Sequence, residues 1–130
     1  MIEINNIGIS FGGLRALDNV SFSVEKNEVV GLIGPNGAGK TTIMNIICGL
    51  YKPTDGTIRF RGTDITGMSS DKICKLGISR TYQIPQPFYA MTALAGVTAA
   101  VLNGKQRPNM SLQDAGLEAS YYLEFVGLFA

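Results

Sequence analysis

Apolar and polar residues alternate from the start of the chain. In MIEINNIGIS, Ile2 and Ile4, then Ile7 and Ile9, stand between polar neighbours, and the phase slips at Asn5-Asn6. A period of two is that of a strand with one covered face, so the opening segment is expected as β. Val20, Phe22 and Val24 repeat the alternation, while FGGLRALD before them reads as a turn-rich loop. After Asn27-Glu28 comes VVGLI, residues 29–33, apolar almost without alternation. Such a run predicts a strand buried on both faces.

From Lys40 to Leu50 the period changes. Ile43, Met44, Ile46, Ile47, Cys48 and Leu50 leave little polar surface, so a helix enclosed by its neighbours is expected, ended by Gly49 and barred from continuing by Pro53. GTIRFR, residues 56–61, reads as a strand. Ser69 or Ser70 caps a short helix with Ile73 and Leu76 on one face and Gly77 as its stop. Residues 78–83 are expected as a strand leading into PQPF. Beyond Pro87 the chain turns helical, with Leu94, Val97, Val101 and Leu102 on one face. A last helix begins at Ser111, where Asp114 sits three residues on in capping-box spacing, and Leu112, Ala115, Ala119, Tyr122, Leu123 and Val126 form its stripe.

Composition narrows the chemistry. The chain has 130 residues, 45% hydrophobic and 16% charged, which fits one small globular domain. A net charge of +1 gives no broad basic footprint for nucleic acid. The sequence holds no His, which removes His-based catalysis and His-ligated metals. Cys48 and Cys74 lack metal or CxxC spacing and read as reduced, packed thiols of a cytosolic protein. MIEINNIGIS lacks the basic run and long apolar stretch of a signal peptide, and the apolar segment 90–102 is too short to span a bilayer.

Residues 34–41, GPNGAGKT, match G-x-x-x-x-G-K-[ST] without deviation, between an expected strand and an expected helix. Gly34, Gly37 and Gly39 let the backbone bend tightly, approach a phosphate and aim successive N–H groups at it. The start of a helix favours an anion through its free N–H groups and its dipole. Lys40 supplies a point charge for β- and γ-phosphates, and Thr41 a hydroxyl for Mg²⁺. The loop alone leaves ATPases, GTPases and small-molecule kinases open. A guanine-reading N-K-x-D stretch does not occur.

Beyond the loop, the chain resembles a known family. GPNGAGKTT, preceded by FGGLRALDNVSFSVEKNEVVGLI and followed by YKPTDGTIRFRGTDI, is similar to the nucleotide-binding subunit of ABC transporters. FGGLRALDNV, YKPTDGTI, GISRTYQ and the helical stretch ending LEFVGL most resemble the importer subunits that serve branched-chain amino acids. The resemblance implies an α/β P-loop NTPase fold, an ABC-type nucleotide-binding domain with an N-terminal antiparallel β subdomain and the start of a helical subdomain. It divides the chain at about 1–87, the β subdomain and phosphate-loop core, and 88–130, the helical part. The implied cofactors are ATP and Mg²⁺. Phe11 matches the aromatic that stacks on adenine. Gly34, Pro35, Asn36, Gly37, Ala38, Gly39, Lys40, Thr41 and Thr42 match the phosphate loop, with Thr42 a second hydroxyl near the phosphates. Gln83 matches the glutamine that contacts Mg²⁺ or the attacking water, so Lys40 and Gln83 are the implied catalytic residues, and Thr41 and Gln83 the implied metal contacts.

The implied partners are transmembrane permease subunits and a second ATP-binding subunit, with the chain peripheral on the inner face of the plasma membrane and not itself spanning it. Phe88, Tyr89 and Met91, in IPQPFYAMTAL, are the candidate permease contacts. An LSGGQ-like signature, a Mg²⁺-binding Asp at the end of an apolar strand, the Glu after it and a switch His are not found in the 130 residues. The expectation is therefore an N-terminal half that binds nucleotide and hydrolyses it very slowly alone. A non-catalytic nucleotide-binding fragment and a different P-loop NTPase or kinase are the alternatives.

Overall fold

The computed structural model describes residues 1–84, 88–104 and 109–128. They form two compact units, residues 1–73 and 74–130. The first unit is a four-stranded antiparallel sheet of order β2-β1-β3-β4 with a helix. β1 runs Ile2–Phe11, β2 Leu14–Val24, β3 Asp55–Phe60 and β4 Thr63–Asp64. Two helices belong to this part of the chain, α1 over Lys40–Ile47 and α2 over Ser70–Lys75, the latter running across the boundary between units.

The phase slip at Asn5-Asn6 is a bulge. β1 pairs Ile4 with Phe22 and then Ile7 with Val20, with a register shift between them. Asn6 takes φ 53°, a left-handed value that Asn tolerates better than most residues. Its N–H donates to Ser21 Oγ at 2.8 Å, and its side-chain amide donates to Asn19 Oδ1. After the bulge Ile7, Gly8 and Ile9 are all buried, as is Ile4 before it. These side chains, Leu17 of β2, Ile58 of β3 and Ile43, Ile46 and Ile47 of α1 supply most of the first unit's buried apolar surface.

The segment expected as a turn-rich loop is a hairpin. Gly12 and Gly13 have φ 51° and 87°, and Phe11 pairs directly with Leu14. Two left-handed residues in a two-residue loop match the right-handed twist of the flanking strands, so β2 starts at once at Leu14. Arg61 and Gly62, with φ 50° and 81°, make the same kind of turn between β3 and β4.

Three expectations are corrected. Residues 29–33 form no strand, and Val29 and Ile33 are 97% and 96% exposed rather than buried. A strand exists only through its ladder, and the one sheet among the described residues contains no partner for this segment. Residues 78–83 are likewise irregular. And α1 is covered on one face only, since Met44 is exposed opposite the three buried isoleucines.

The second unit contains α3, Ala93–Gly104, and α4, Leu112–Phe125. Ser111 caps α4 as its spacing predicts: Oγ accepts the Asp114 N–H at 3.0 Å and donates to Asp114 Oδ2 at 2.7 Å. Ala115, Ala119 and Leu123 are the buried stripe of α4, while Leu112, Tyr122 and Val126, expected on that stripe, are exposed. Residues 85–87, which carry the two prolines of PQPF, lie outside the described residues, and α3 begins at Ala93 rather than directly after them. No helix among the described residues is long and apolar enough to cross a membrane.

Candidate nucleotide-binding site

The loop 34–39 is shaped by its glycines. Gly37 and Gly39 hold φ 84° and 82°, where a side chain would be strained. Gly39 is also tightly enclosed: a Cβ there would collide with Leu17 Cδ2 and lie 3.1 Å from the Ala16 carbonyl oxygen. The close approach seats the start of α1 directly on β2. Gly34 has less room than an ordinary contact allows, since a Cβ would lie 3.3 Å from Ala38 Cβ. Between them the Ala38 N–H donates to the Pro35 carbonyl at 3.3 Å and closes a turn around Asn36.

Gly39 is the N-cap of α1, and no side chain caps that end. The first turn carries no acidic residue. A helix leaves its first N–H groups without intrahelical acceptors, so this end presents peptide N–H donors and the positive pole of the dipole together. Lys40 lies across the loop. Its Nζ donates to the carbonyl oxygens of Gly34 and Pro35, at 2.6 Å each. An ammonium has three donors, so one stays available beside the loop while the other two brace it. Thr41 is exposed and Thr42 half-buried on the first turn of α1, and both add hydroxyl groups. Uncapped amides, one cation and two hydroxyls, without a carboxylate in the first turn, fit a polyphosphate anion with a divalent cation on the hydroxyl side.

Phe11 stands at the tip of the β1–β2 hairpin, 44% exposed. Its strand partner Leu14 is two residues from Ala16, against which Gly39 packs. The strand rise puts the hairpin tip about 10 Å from the loop. The Phe11 ring meets Tyr51 edge-to-face, with centroids 5.2 Å apart and planes at 69°. Behind the tip, Arg15 pairs with Asp18 and with Asp55, each at 3.0 Å, and the absent side chain of Gly8 makes room for the guanidinium. Tyr51 was not among the residues the sequence picked out. Its only sequence signal was its place in YKPTDGTI, just before the strand that pairs with β1.

Gln83 lies in the second unit, exposed, in a bend rather than at the end of a strand. Phe88, Tyr89 and Met91 are exposed in the same unit, Tyr89 almost completely.

Comparison with known proteins gives the family. The ABC transporter family profile matches residues 17–125. The high-affinity branched-chain amino acid transport ATP-binding protein LivG of Salmonella typhimurium is 42% identical over 100 residues, covering 77% of this chain and 39% of that protein. BraF of Pseudomonas aeruginosa, described in the same terms, is 43% identical over the same shares. The chain thus spans about two-fifths of the length of these relatives. A nucleotide-free ATP-binding cassette from an ABC transporter superposes with a TM-score of 0.79 at 35% identity, covering 98% of this chain and 54% of that one. A dimeric cassette bound to ADP and Pi gives 0.78 at 26% identity. This chain belongs to the ABC transporter family.

Proposed function

We propose that the chain is an ATP-binding subunit of an ABC importer for branched-chain amino acids, and that residues 34–42 hold the phosphates of Mg²⁺–ATP. The observation that carries this reading is the conjunction at Gly39-Lys40: a left-handed glycine seated on β2, an uncapped helix start, and an ammonium braced across the loop. With phosphate bound, the third donor of Lys40 would reach a phosphate oxygen while the other two keep bracing Gly34 and Pro35, and the loop N–H groups other than that of Ala38, which closes its own turn, would donate to the remaining oxygens. Thr41 would hold the metal, which when bound would neutralise charge on the phosphates. Thr42 adds a second hydroxyl, and the open face of Phe11 takes the adenine. The branched-chain assignment rests on the names of LivG and BraF and on the identity shared with them.

In this reading permease subunits and a second ATP-binding subunit complete the transporter. The chain sits peripherally on the inner face of the membrane, and Phe88, Tyr89 and Met91 face the permease. The functional division falls near residue 87, between the nucleotide-binding part and the helical part. Hydrolysis by these 130 residues alone is slow, because orienting a water and clamping the leaving charge are most of phosphoryl-transfer catalysis and the sequence carries no signature motif to supply the clamp.

Isothermal titration of the chain with Mg²⁺–ATP tests the binding half. Lys40→Ala should weaken affinity about ten- to hundredfold, the range of one or two charge-assisted hydrogen bonds. Unchanged affinity, or a preference for GTP in competition, would overturn it. Turnover matching that of a full-length relative would overturn the statement on hydrolysis.

A further inference from the structure

The base end and the phosphate end of the site are joined by one short stretch of chain. α1 starts at the phosphate loop and ends near Cys48, and Gly49, at φ 72°, reverses the direction. A side chain on Gly49 would collide with the Met68 carbonyl and lie 2.9 Å from Ile73 Cδ1, so the reversal is fixed by packing. The next two N–H groups, of Leu50 and Tyr51, both donate to the Asn45 carbonyl of α1, at 2.8 and 3.3 Å. Two residues further, buried Pro53 and the Thr54 N–H, which donates to the Gly8 carbonyl at 2.8 Å, tie the stretch to β1. Tyr51 is thus held at both sides, and its ring is delivered to Phe11.

We infer that Tyr51 is a positioning residue for the nucleotide base: its ring fixes the orientation of Phe11 so that one face of Phe11 stands ready to stack. The inference rests on the proposed role of Phe11 and goes beyond it. In an edge-to-face pair, whichever ring presents its edge, Tyr51 covers at most one face of Phe11. The 44% exposure of Phe11 agrees with an open second face. Gly12 and Gly13 carry no side chains beside Phe11, which leaves Tyr51 and the cross-strand partner Leu14 as the neighbours that restrain its ring. Without Tyr51 the ring samples several rotamers, and stacking must first restrict them.

The test compares Mg²⁺–ATP with Mg²⁺–tripolyphosphate, which has the phosphates but no base, on the full chain. Tyr51→Ala should weaken ATP roughly three- to tenfold, the ratio that an aromatic pair of this geometry supports, and leave tripolyphosphate affinity unchanged. Tyr51→Phe should bind both as the parent does. A merely structural role would weaken both ligands together in Tyr51→Ala, and that result overturns the inference. So does loss in Tyr51→Phe equal to that in Tyr51→Ala, because the ring would then not be the cause. Phe11→Ala separates the two levels: if it weakens ATP and Tyr51→Ala does not, Tyr51 has no positioning role while the base site stands. If Phe11→Ala leaves ATP unchanged, the base site itself is wrong and the inference falls with it.

Discussion

Gly39 is where backbone conformation, packing and ligand chemistry meet in one residue. Its φ of 82° costs an L-residue about 1–2 kcal/mol, and the space its Cβ would need is already filled by Leu17. Gly39→Ala should therefore lower stability by at least that amount and displace the start of α1 from β2. Urea denaturation measures the first effect, and the loss of Mg²⁺–ATP heat the second. Asp64 offers a different single-residue test. Its carboxylate is held below the ordinary carboxylate range by hydrogen bonds from Thr66, the hydroxyl first and then the N–H, with Arg59 adding a smaller attraction against a small opposing effect of burial. A depressed folded-state value means that Asp64 stabilises the fold at pH above its unfolded value of about 3.9 and loses this as pH falls through its lower folded value. Asp64→Asn should lower stability slightly at neutral pH and meet the parent's curve at low pH, so that the acid limb below about pH 4 becomes flatter.

Helix α3 shows the opposite behaviour of glycine. Gly96 lies inside α3 with ordinary helical bonding, its N–H donating to the Thr92 carbonyl at 3.0 Å, and a Cβ there meets nothing within 4 Å. Gly96→Ala should stabilise the chain by about 0.5–1 kcal/mol, read from the same urea midpoint that falls in Gly39→Ala. Some elements were legible because their signals are local. The slip at Asn5-Asn6 is a bulge whatever the rest of the sheet does, and the Ser111–Asp114 cap needs only its own four residues. The phosphate loop is local in the same way: Gly37 and Gly39 take the left-handed φ values that glycine permits, while Gly34 does not need one. Residues 29–33 and 78–83 could not be settled that way. An apolar run states that burial is favourable, and only the presence of a neighbouring strand decides whether burial occurs. The Phe11–Tyr51 contact was invisible for a related reason: it joins a hairpin tip to a residue four positions past the end of α1, and no periodicity links them.

The consequence for the molecule in solution lies in those uncovered residues. Val29 and Ile33 are almost fully exposed, and Val30 and Leu32 are more than two-fifths exposed, all within five consecutive positions. Fully burying a Val, Leu or Ile side chain is worth about 1.5–3 kcal/mol, so a run of four is a strong incentive to find apolar cover. Its backbone stands outside the sheet and can pair with an extended segment of another molecule. The chain should therefore self-associate as concentration rises, and more strongly at high salt, because apolar contact is not screened and repulsion between like surfaces is. Lysines at the two most exposed positions, in the double variant Val29→Lys with Ile33→Lys, should suppress that association without altering the sheet, since neither side chain packs in the native core. Sedimentation velocity over a concentration series, with and without added salt, reads both effects. Association that weakens with salt would point to charge pairing, and association untouched by the two lysines would mean that another surface holds the copies together.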